Sequence, residues 1–451
     1  MVLQAGVRAA RLGLASPAVG RPRVLSAERW KSCARGRVTR PCHRHHAFPL
    51  QGTDLAPTLV DRRAPSGTPS RKRTPSGRRP RAAAASCGGG RSLPAGEGRA
   101  RHDDRGIIKV QVESAPSGQG RSIGVHREWD RLAEVVVGRP LDFAFPSDPA
   151  GTQAALSFLP RGFGELGRRA AGRRWSQADP DGYARCAAQL DGLAAFLTAR
   201  GVLVHRPTEL TEAEQNLFVE LSPVSLQIFV RDPMIVIGDT VIEASLRLPH
   251  RFKERFGLRH LMADMVRRGA RRSVVPPGSP LPLNEVARAQ GPYLEGGDVM
   301  LFGRDVLVGA GQGGFATDDA GIDWLRRELG DAYRVHRTSL HPRVLHLDDG
   351  LAAVREGLAI AARAQFVDGL PSVIADWDII DVDLDEALDQ LVANVLVLAP
   401  GEVILDSRAL GLAEHLTRHD VTVHTLDFDA VTPFAGGFRC SHHPVHRTPA
   451  E

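Results

Sequence analysis

Short apolar strands occur in closely spaced pairs along the second half of this 451-residue chain. DVMLFG (298–303) is followed after one residue by DVLVGA (305–310), and NVLVLAP (394–400) is followed after one residue by EVILD (402–406). Gaps this short are typical of antiparallel hairpins. A helical segment follows each pair, and the unit of strand, strand, helix and strand recurs. The sequence therefore predicts an α/β protein built from repeated modules, rather than one doubly wound sheet.

Further helices and strands are predicted from apolar periodicity and from boundary residues. A glycine ends the first of the helices, and Ser407 occupies the N-cap place of the last. The helices are predicted at YARCAAQLDGLAAFLTARG (183–201), GIDWLRRELGD (321–331) and SRALGLAEHLTRHD (407–420), and two more strands at AEVVVG (133–138) and MIVIG (234–238). The acidic run 376–389 is interpreted as a charged strand that enters a helix N-terminus, where acids are favoured. A calcium site is the alternative interpretation of that run.

Charge divides the chain at about residue 105. Residues 1–105 carry 22 Lys and Arg against 6 Asp and Glu, which leaves 36 basic and 46 acidic groups for the rest. The first segment is also rich in Arg, Pro, Ser, Gly and Ala, and it cannot bury enough apolar surface to offset its ordering entropy. We therefore predict a disordered arm over 1–105 and a folded body over 106–451.

Three interpretations of the arm stay open. The arm is an extension without a function of its own or the result of a misassigned start codon, an organelle presequence, or a nucleic-acid-binding arm. The presequence is supported by the first 30 residues, which contain spaced arginines and a single acidic residue, Glu28. A nucleic-acid-binding arm has the basic runs but almost no aromatic residues for base stacking. The acidic body suits a cationic small molecule better than nucleic acid, which is not an expected partner.

Several classes of function are excluded by what the sequence lacks. There is no apolar run of membrane-spanning length, so no membrane partner is expected. There is no GxGxxG and no Walker loop, so no nucleotide cofactor is expected. Only Cys186 and Cys440 lie in the body, which fits a reducing compartment and predicts a cytoplasmic protein, with the presequence as the open alternative. A homodimer is the default expectation for the oligomeric state.

Cys440 is the candidate nucleophile. It lies in PFAGGFRCSHHPVHR (433–447), after two glycines that allow the backbone to approach a ligand closely. Taken alone, a free cysteine is more often a small buried hydrophobe. A metal site formed by Cys440 with the three following histidines lacks the second ligand pair of a structural zinc site, so no metal is predicted.

Three short motifs supply a histidine and four carboxylates. His346 and Asp348 lie in RVLHLDDGLA, and an extended chain would direct both to one face. Glu295 and Asp298 flank two glycines in PYLEGGDVMLFG, where a tight turn directs acids into a cleft. Asp232 precedes a proline and a strand. A histidine beside carboxylates can transfer protons next to a bound cation, and carboxylates can bind a guanidinium.

The order of these motifs resembles a known superfamily. Asp-Pro, Glu-Gly-Gly-Asp, His-x-Asp and a near-terminal Gly-Gly-x-x-Cys resemble the guanidino-group-modifying enzymes: amidinotransferases, arginine deiminases and dimethylargininases. The resemblance runs from about Gly124 to Arg447. Three stretches look more narrowly like glycine and inosamine-phosphate amidinotransferases: HREWDRLAEVVVGRP (126–140), FVRDPMIVIGDTVIEASLRLPHRF (229–252) and RRGARR (267–272).

The resemblance implies a fold and a set of roles. The fold is a five-module α/β propeller (pentein) of strand–strand–helix–strand units around a pseudo-fivefold axis, with the catalytic domain over 106–451 and the site in a central channel. Cys440 would attack a guanidinium carbon, and His346 would protonate the leaving amine and later act as a base. Glu295 would orient His346, while Asp232 and Asp348 would bind the guanidinium. No cofactor is implied.

Other expectations follow from the same resemblance. Asp298 is a further substrate-binding candidate, and Arg247 and Arg251 are candidates for binding the donor's carboxylate. The expected function is an amidinotransferase that moves the amidino group of arginine to an amine acceptor and releases ornithine. A guanidine hydrolase of the arginine deiminase or dimethylargininase type is the alternative. A binding protein with an inactive core is a third possibility, which retention of all the reactive residues disfavours.

The chain departs from the amidinotransferase pattern at two motifs. Those enzymes have Gly-Gly-Gly-Phe-His-Cys where this chain has Ala-Gly-Gly-Phe-Arg-Cys (435–440). Their acidic turn is Asp-Ala-Ala-Asp or similar, whereas Glu-Gly-Gly-Asp (295–298) is closer to deiminases. These departures keep the hydrolase open and leave the acceptor unidentified.

Overall fold

The computed structural model describes residues 122–155 and 158–449. The disordered arm predicted over 1–105 and its boundary with the body lie outside the described residues. Within them the chain forms fifteen strands and nine α-helices. No helix in this part of the chain combines the length and the apolar character needed to cross a bilayer.

The strands and helices have the following bounds. The strands are β1 (Arg131–Val137), β2 (Leu203–His205), β3 (Met234–Ile237), β4 (Thr240–Glu243), β5 (Arg271–Val274), β6 (Val299–Phe302), β7 (Asp305–Gly311), β8 (Arg334–Leu340), β9 (Leu351–Arg355), β10 (Leu358–Ala361), β11 (Asp378–Asp381), β12 (Leu396–Ala399), β13 (Glu402–Asp406), β14 (Thr422–Leu426) and β15 (His442–Thr448). The helices are α1 (Pro149–Ala155), α2 (Arg161–Ala170), α3 (Trp175–Ala178), α4 (Pro180–Ala199), α5 (Glu212–Gln215), α6 (Arg259–Arg267), α7 (Asp319–Leu329), α8 (Leu384–Asp389) and α9 (Leu410–Arg418).

The described strands make five three-stranded sheets with one shared design. Two strands pair antiparallel, and the third pairs parallel with the middle strand. A helix connects the second strand to the third in the sheets β3–β5, β6–β8 and β12–β14. In the sheet β9–β11, two 3₁₀ turns replace that helix. This architecture confirms the predicted five-module α/β propeller.

The fifth module joins distant parts of the chain. β15 pairs antiparallel with β1, and β2 pairs parallel with β1 after a connection that contains α1 to α4. The last described strand therefore closes the ring of modules against the first.

Four strands are buried on both faces, which explains the continuous apolar sequences of three of them, β3, β10 and β12. Every residue of β3, β4, β10 and β12 is buried. Gly238, Gly303 and Gly401 occupy hairpin turns with φ of +55°, +76° and +74°, a region that favours glycine. The predicted strands around residues 133–138, 234–238, 298–310 and 394–406 are all present.

The helix predictions are correct in position and partly wrong at the boundaries. The predicted helix 183–201 is α4, whose N-cap Asp179 accepts a hydrogen bond from the Gly182 N–H. The predicted N-cap Ser407 is wrong, because α9 begins at Leu410. The Ser407 hydroxyl instead donates to Asp427 Oδ1 at 2.5 Å. The acidic run 376–389 forms β11 and α8, as its strand-to-helix interpretation predicted.

Candidate active site

Cys440 lies at the end of a tight loop that leads into β15. The loop begins at Ala435, whose φ of +67° places an alanine in the left-handed region. The Cys440 side chain is buried, and Asn394 holds it from the segment before β12. The Cys440 N–H donates to Asn394 Oδ1 (3.1 Å), and Asn394 Nδ2 lies 3.1 Å from the Cys440 sulfur. The thiol also lies 3.7 Å from Asp348 Oδ2.

His346 and Glu295 form a buried pair. His346 Nε2 donates to Glu295 Oε2 at 2.9 Å. The other Glu295 oxygen accepts the N–H of Arg247 at 2.9 Å, and the Glu295 N–H donates to the Thr317 hydroxyl at 3.0 Å. Glu295 is therefore fixed by main-chain contacts, and it fixes the imidazole in turn.

The glycines after Glu295 permit this close packing. A Cβ on Gly297 would lie 2.7 Å from Asp232 Oδ1 and 2.8 Å from His346 Cγ. The Gly297 N–H donates to Asp232 Oδ1 at 2.8 Å. A glycine is needed at this point because the carboxylate and the imidazole occupy the place of a side chain.

Asp232 bridges the imidazole to an arginine. Its Oδ1 lies 3.7 Å from His346 Nδ1, and its Oδ2 accepts Arg251 Nη1 at 2.8 Å. Arg251 also binds both oxygens of Glu254, at 3.0 and 2.8 Å. All three side chains are at most 5% exposed. Arg251 is therefore already held by two carboxylates.

Asp348 is held by a second buried ionic network. Its Oδ2 accepts Arg439 Nη1 at 2.8 Å, and Arg439 Nη2 donates to Glu128 Oε2 at 3.1 Å and to the Val299 carbonyl at 3.0 Å. The second oxygen, Asp348 Oδ1, is buried and has no hydrogen-bond partner within the described part of the chain. Arg439 therefore anchors one oxygen of Asp348 and leaves the other available.

The HLDD motif differs from its predicted conformation. His346 is extended, but Leu347–Asp349 forms a 3₁₀ turn rather than a strand. The Asp349 carboxylate accepts the N–H groups of Leu345 and His346, at 3.1 and 3.0 Å, and this closes the turn. Asp348 consequently reaches the thiol, whereas His346 reaches Glu295.

The two remaining substrate-binding candidates make structural contacts. Asp298 accepts the Leu347 N–H at 3.0 Å and the Thr317 N–H at 3.4 Å. The Arg247 guanidinium donates to three main-chain carbonyl groups, with the shortest contact 2.6 Å to Ala289, and it lies over the Tyr293 ring. Asp298 thus connects the two acidic motifs, and Arg247 connects the chain before and after Tyr293.

The electrostatics of the site favour a protonated imidazole and a neutral thiol. Burial alone would lower the pKa of His346, but the carboxylates of Asp232, Glu295 and Asp298 raise it well above its ordinary value. Burial raises the pKa of the Cys440 thiol, and the nearby aspartates raise it further. Burial also raises the pKa of Asp298 to about 7. The site therefore has an excess of acidic groups and suits a cationic ligand.

One group of side chains in the described ranges could converge on a metal ion. Ligand atoms of His346, Asp348 and Asp349 lie within 4.8 Å of one another. Each side chain is already engaged, by Glu295, by Arg439 and by main-chain N–H groups respectively. The group forms part of the site around Cys440, and the histidines that follow Cys440 do not take part in it.

Three residues of the site were not predicted as functional. Asn394 lay in a segment interpreted only as a strand. Arg439 stands where the amidinotransferase motif has histidine, and Glu128 lies in the amidinotransferase-like stretch 126–140. A buried arginine requires buried carboxylate partners, but the stretch 126–140 contains three acids, Glu128, Asp130 and Glu134, and the sequence does not distinguish Glu128 among them.

The chain is similar in sequence to known amidinotransferases. The chain is 30% identical over 363 residues to a Streptomyces griseus protein named "putative inosamine-phosphate amidinotransferase 2", covering 73% of this chain and 97% of that protein. It is 26% identical over 365 residues to inosamine-phosphate amidinotransferase 1 of the same organism, covering 73% and 98%. It is 23% identical over 383 residues to the mitochondrial glycine amidinotransferase of Gallus gallus, covering 78% and 88%. No protein-family model matches the chain.

Solved structures show the same fold. The amidinotransferase SxtG of Microseira wollei, from the saxitoxin biosynthetic pathway, superposes with a TM-score of 0.59 at 22% identity. The inosamine-phosphate amidinotransferase StrB1 of Streptomyces griseus superposes with a TM-score of 0.57 at 24% identity. Each alignment covers 73% of this chain and 98% of the other. With nearly the whole length of its curated relatives matched, the chain belongs to the amidinotransferase family of transferase enzymes.

Proposed function

We propose that this chain transfers the amidino group of arginine to an amine acceptor through an amidino-cysteine at Cys440, and releases ornithine. The convergence of Cys440, His346, Glu295 and Asp348 in one buried, acidic site carries the proposal. Membership of the amidinotransferase family supports transfer as the reaction. Arginine as the donor is supported by the carboxylates that surround the thiol.

In the first half-reaction, the guanidinium of arginine lies between Asp232 and Asp348. The free Asp348 Oδ1 accepts a guanidinium N–H, which gives this buried oxygen a partner. The Cys440 thiolate attacks the guanidinium carbon. The bond from that carbon to the δ-nitrogen breaks, and His346 donates a proton to the departing nitrogen. Ornithine leaves, and the amidino group remains on sulfur.

In the second half-reaction, the nitrogen of an acceptor amine occupies the place that the departing nitrogen of ornithine left. His346, now neutral, removes a proton from the amine as its nitrogen attacks the amidino carbon. The carbon–sulfur bond breaks, Cys440 returns as the thiolate, and a guanidino product leaves. Glu295 holds the imidazole in position in both steps through its 2.9 Å hydrogen bond.

The donor's positive charge helps to form the nucleophile. In the free site, the pKa of Cys440 is raised by burial and by three aspartates. A guanidinium bound between Asp232 and Asp348 offsets their charge and lowers that pKa again. The thiol proton therefore passes to solvent when the donor arrives and leaves the thiolate, whereas the unoccupied enzyme keeps a neutral thiol and is protected from unselective alkylation.

The test is a two-stage assay on the full chain. The protein is incubated with arginine alone, and the mass of the peptide that contains Cys440 is measured. Hydroxylamine or glycine is then added, and ornithine and citrulline are quantified by amino-acid analysis. The proposal requires an amidino adduct on Cys440 and ornithine that increases when an amine is supplied.

Two controls define the outcomes. Cys440→Ala should form no adduct, whereas Cys186→Ala should behave as the wild type, because Cys186 is fully buried on α4 and burial raises the pKa of its thiol to about 12. Citrulline without any acceptor would replace the transferase with the hydrolase alternative. The absence of both products and of the adduct would remove arginine as the donor.

The proposed compartment is the cytoplasm. Both cysteines in the described residues are free thiols, and the proposed chemistry requires Cys440 to stay reduced. Fractionation of the producing cells, with detection by an antibody against residues 106–451, would test this. Enrichment in an organelle would support the presequence alternative.

A further inference from the structure

An apolar cavity is lined in part by residues that are neighbours of the catalytic residues in the sequence or bind to them. Its wall includes Leu345, which precedes His346, and Ala435, which begins the loop that carries Cys440. Arg251, the partner of Asp232, also lies in the wall. A smaller cavity shares Leu345 and Ala435 with the first and reaches Asp349.

The described wall of this cavity is mainly aromatic and aliphatic. Three of its five phenylalanines come from residues 143–163, the other two lie further along the chain, and leucines also line the space. The phenylalanines are Phe143, Phe158, Phe163, Phe229 and Phe434. Such a wall stabilises an apolar group by removing it from water and gives an aromatic ring several edges and faces to contact.

The polar groups of the wall do not suit an anionic ligand. Arg251 is bound to the carboxylates of Asp232 and Glu254, so its charge is already offset. Burial, together with the positive charges of Arg251 and Lys253, lowers the pKa of His250 to about 3, so its imidazole is neutral. A phosphate placed here would therefore meet no uncompensated cation in the described part of the wall.

His250 nevertheless offers one unused polar atom. It lies in the wall, is 8% exposed, and its Nδ1 has no hydrogen-bond partner among the described residues. Buried polar atoms of this kind usually have a partner in the working protein. A single hydroxyl group on an otherwise apolar ligand would supply it.

We propose that the cavity binds the acceptor, and that the acceptor is an arylalkylamine with a hydroxyl group, rather than a phosphorylated aminocyclitol or glycine. This inference rests on the proposed function in one respect, because it assigns the ligand of the cavity as the second substrate. The amine end lies toward Asp349 and the thiol, the ring lies among the phenylalanines, and the hydroxyl bonds to His250.

The test compares ligands by titration calorimetry on the full chain, without a donor present. Tyramine, phenethylamine, glycine and inosamine phosphate are the probes. Tyramine should bind at least tenfold more tightly than glycine or inosamine phosphate. It should also bind about 2- to 10-fold more tightly than phenethylamine, because it alone supplies the hydroxyl.

Variants locate the site. Phe158→Ala should weaken tyramine binding by about tenfold, since it removes one aromatic wall. Phe196→Ala is the matched control, because Phe196 lies on α4 against Arg200 and His424, away from the cavity. His250→Phe should equalise tyramine and phenethylamine. Equal effects of the Phe158 and Phe196 variants would overturn the assignment.

A parallel turnover assay separates this inference from the proposed function. The same amines are offered to the enzyme with arginine, and ornithine is measured. Tighter binding of glycine or inosamine phosphate, or no binding of tyramine, overturns the acceptor class even if ornithine forms. A further outcome is that tyramine binds in a Phe158-dependent way while no amine gives ornithine with arginine. That result upholds the ligand class of the cavity and refutes the transfer reaction.

Discussion

Replacement of Arg439 by methionine should destabilise the protein strongly and in a pH-dependent way. The guanidinium contacts Asp348 at 2.8 Å, Glu128 at 3.1 Å and the Val299 carbonyl at 3.0 Å, and its side chain is 3% exposed. Removing one partner of a buried ion pair costs about 3–5 kcal/mol, because the other charge is left uncompensated. At about 2–4 °C per kcal/mol for a large domain, we expect the Tm to fall by roughly 6–20 °C at pH 8.

The pH dependence follows from Glu128. Burial raises its pKa, but the charges of Arg439, Arg231 and Arg447 more than offset this, so the pKa is lowered in the wild type. A lowered pKa contributes stability above the ordinary value of 4.5, and that contribution is lost on acidification. In Arg439→Met the main compensating charge is gone, so protonation relieves the defect at low pH. The Tm difference between wild type and variant should therefore be smaller at pH 5 than at pH 8.

Differential scanning calorimetry at the two pH values measures both effects. Arg288→Met is the control, because Arg288 is 80% exposed and lies 3.7 Å from Glu285, a surface pair worth about 0–1 kcal/mol. Arg439→Lys should recover part of the lost Tm, because lysine restores the positive charge but not the planar set of N–H donors of the guanidinium. A Tm change for Arg439→Met no greater than that of Arg288→Met, or one that grows on acidification, would refute the reasoning.

Three further predictions concern the site and its loop. Glu295→Gln should lower the pKa of His346, shift the alkaline limb of the kcat/KM profile to lower pH, and reduce kcat by about 10²-fold; an unshifted profile would contradict the pairing. Asn394→Ala should reduce the rate of amidino adduct formation by about tenfold or more and cost about 1–3 kcal/mol in urea unfolding, because the Cys440 N–H loses its partner. Ala435→Gly should raise the unfolding free energy by up to about 1 kcal/mol, since its φ is +67°; a loss of stability would show that the loop is not strained.

The repeated module could be predicted because its signal is local. The hairpins at 298–310 and 394–406 are encoded by short apolar runs and a one-residue gap, and both are present. The number of modules could not be read in the same way. One sheet pairs β1 with β15, the first and last strands of the described sequence. Another sheet has two 3₁₀ turns in place of the connecting helix.

The residues of the candidate site could be predicted where a short motif contains reactive side chains. They could not be predicted where a side chain only holds another site residue in place. The structure brings His346, Glu295, Asp232 and Cys440 together, and these residues belong to motifs that lie far apart in the sequence. Arg247 illustrates what the sequence alone leaves open. Whether a buried arginine binds a ligand or main-chain carbonyls depends on which loop packs beside it, and here those loops lie 39 to 69 residues away in the sequence.

The closure of the ring by β15 has a consequence for biosynthesis. β15 pairs with β1, residues 317 positions apart in the sequence meet there, and Cys440 lies just before β15. A ribosome that has translated the chain as far as β14 has therefore made four complete modules but no nucleophile. The thiol is added in the same short stretch that closes the ring, so a partly synthesised chain presents carboxylates and an imidazole without the group that would react. The enzyme gains its chemistry only at the moment when its fold can be completed.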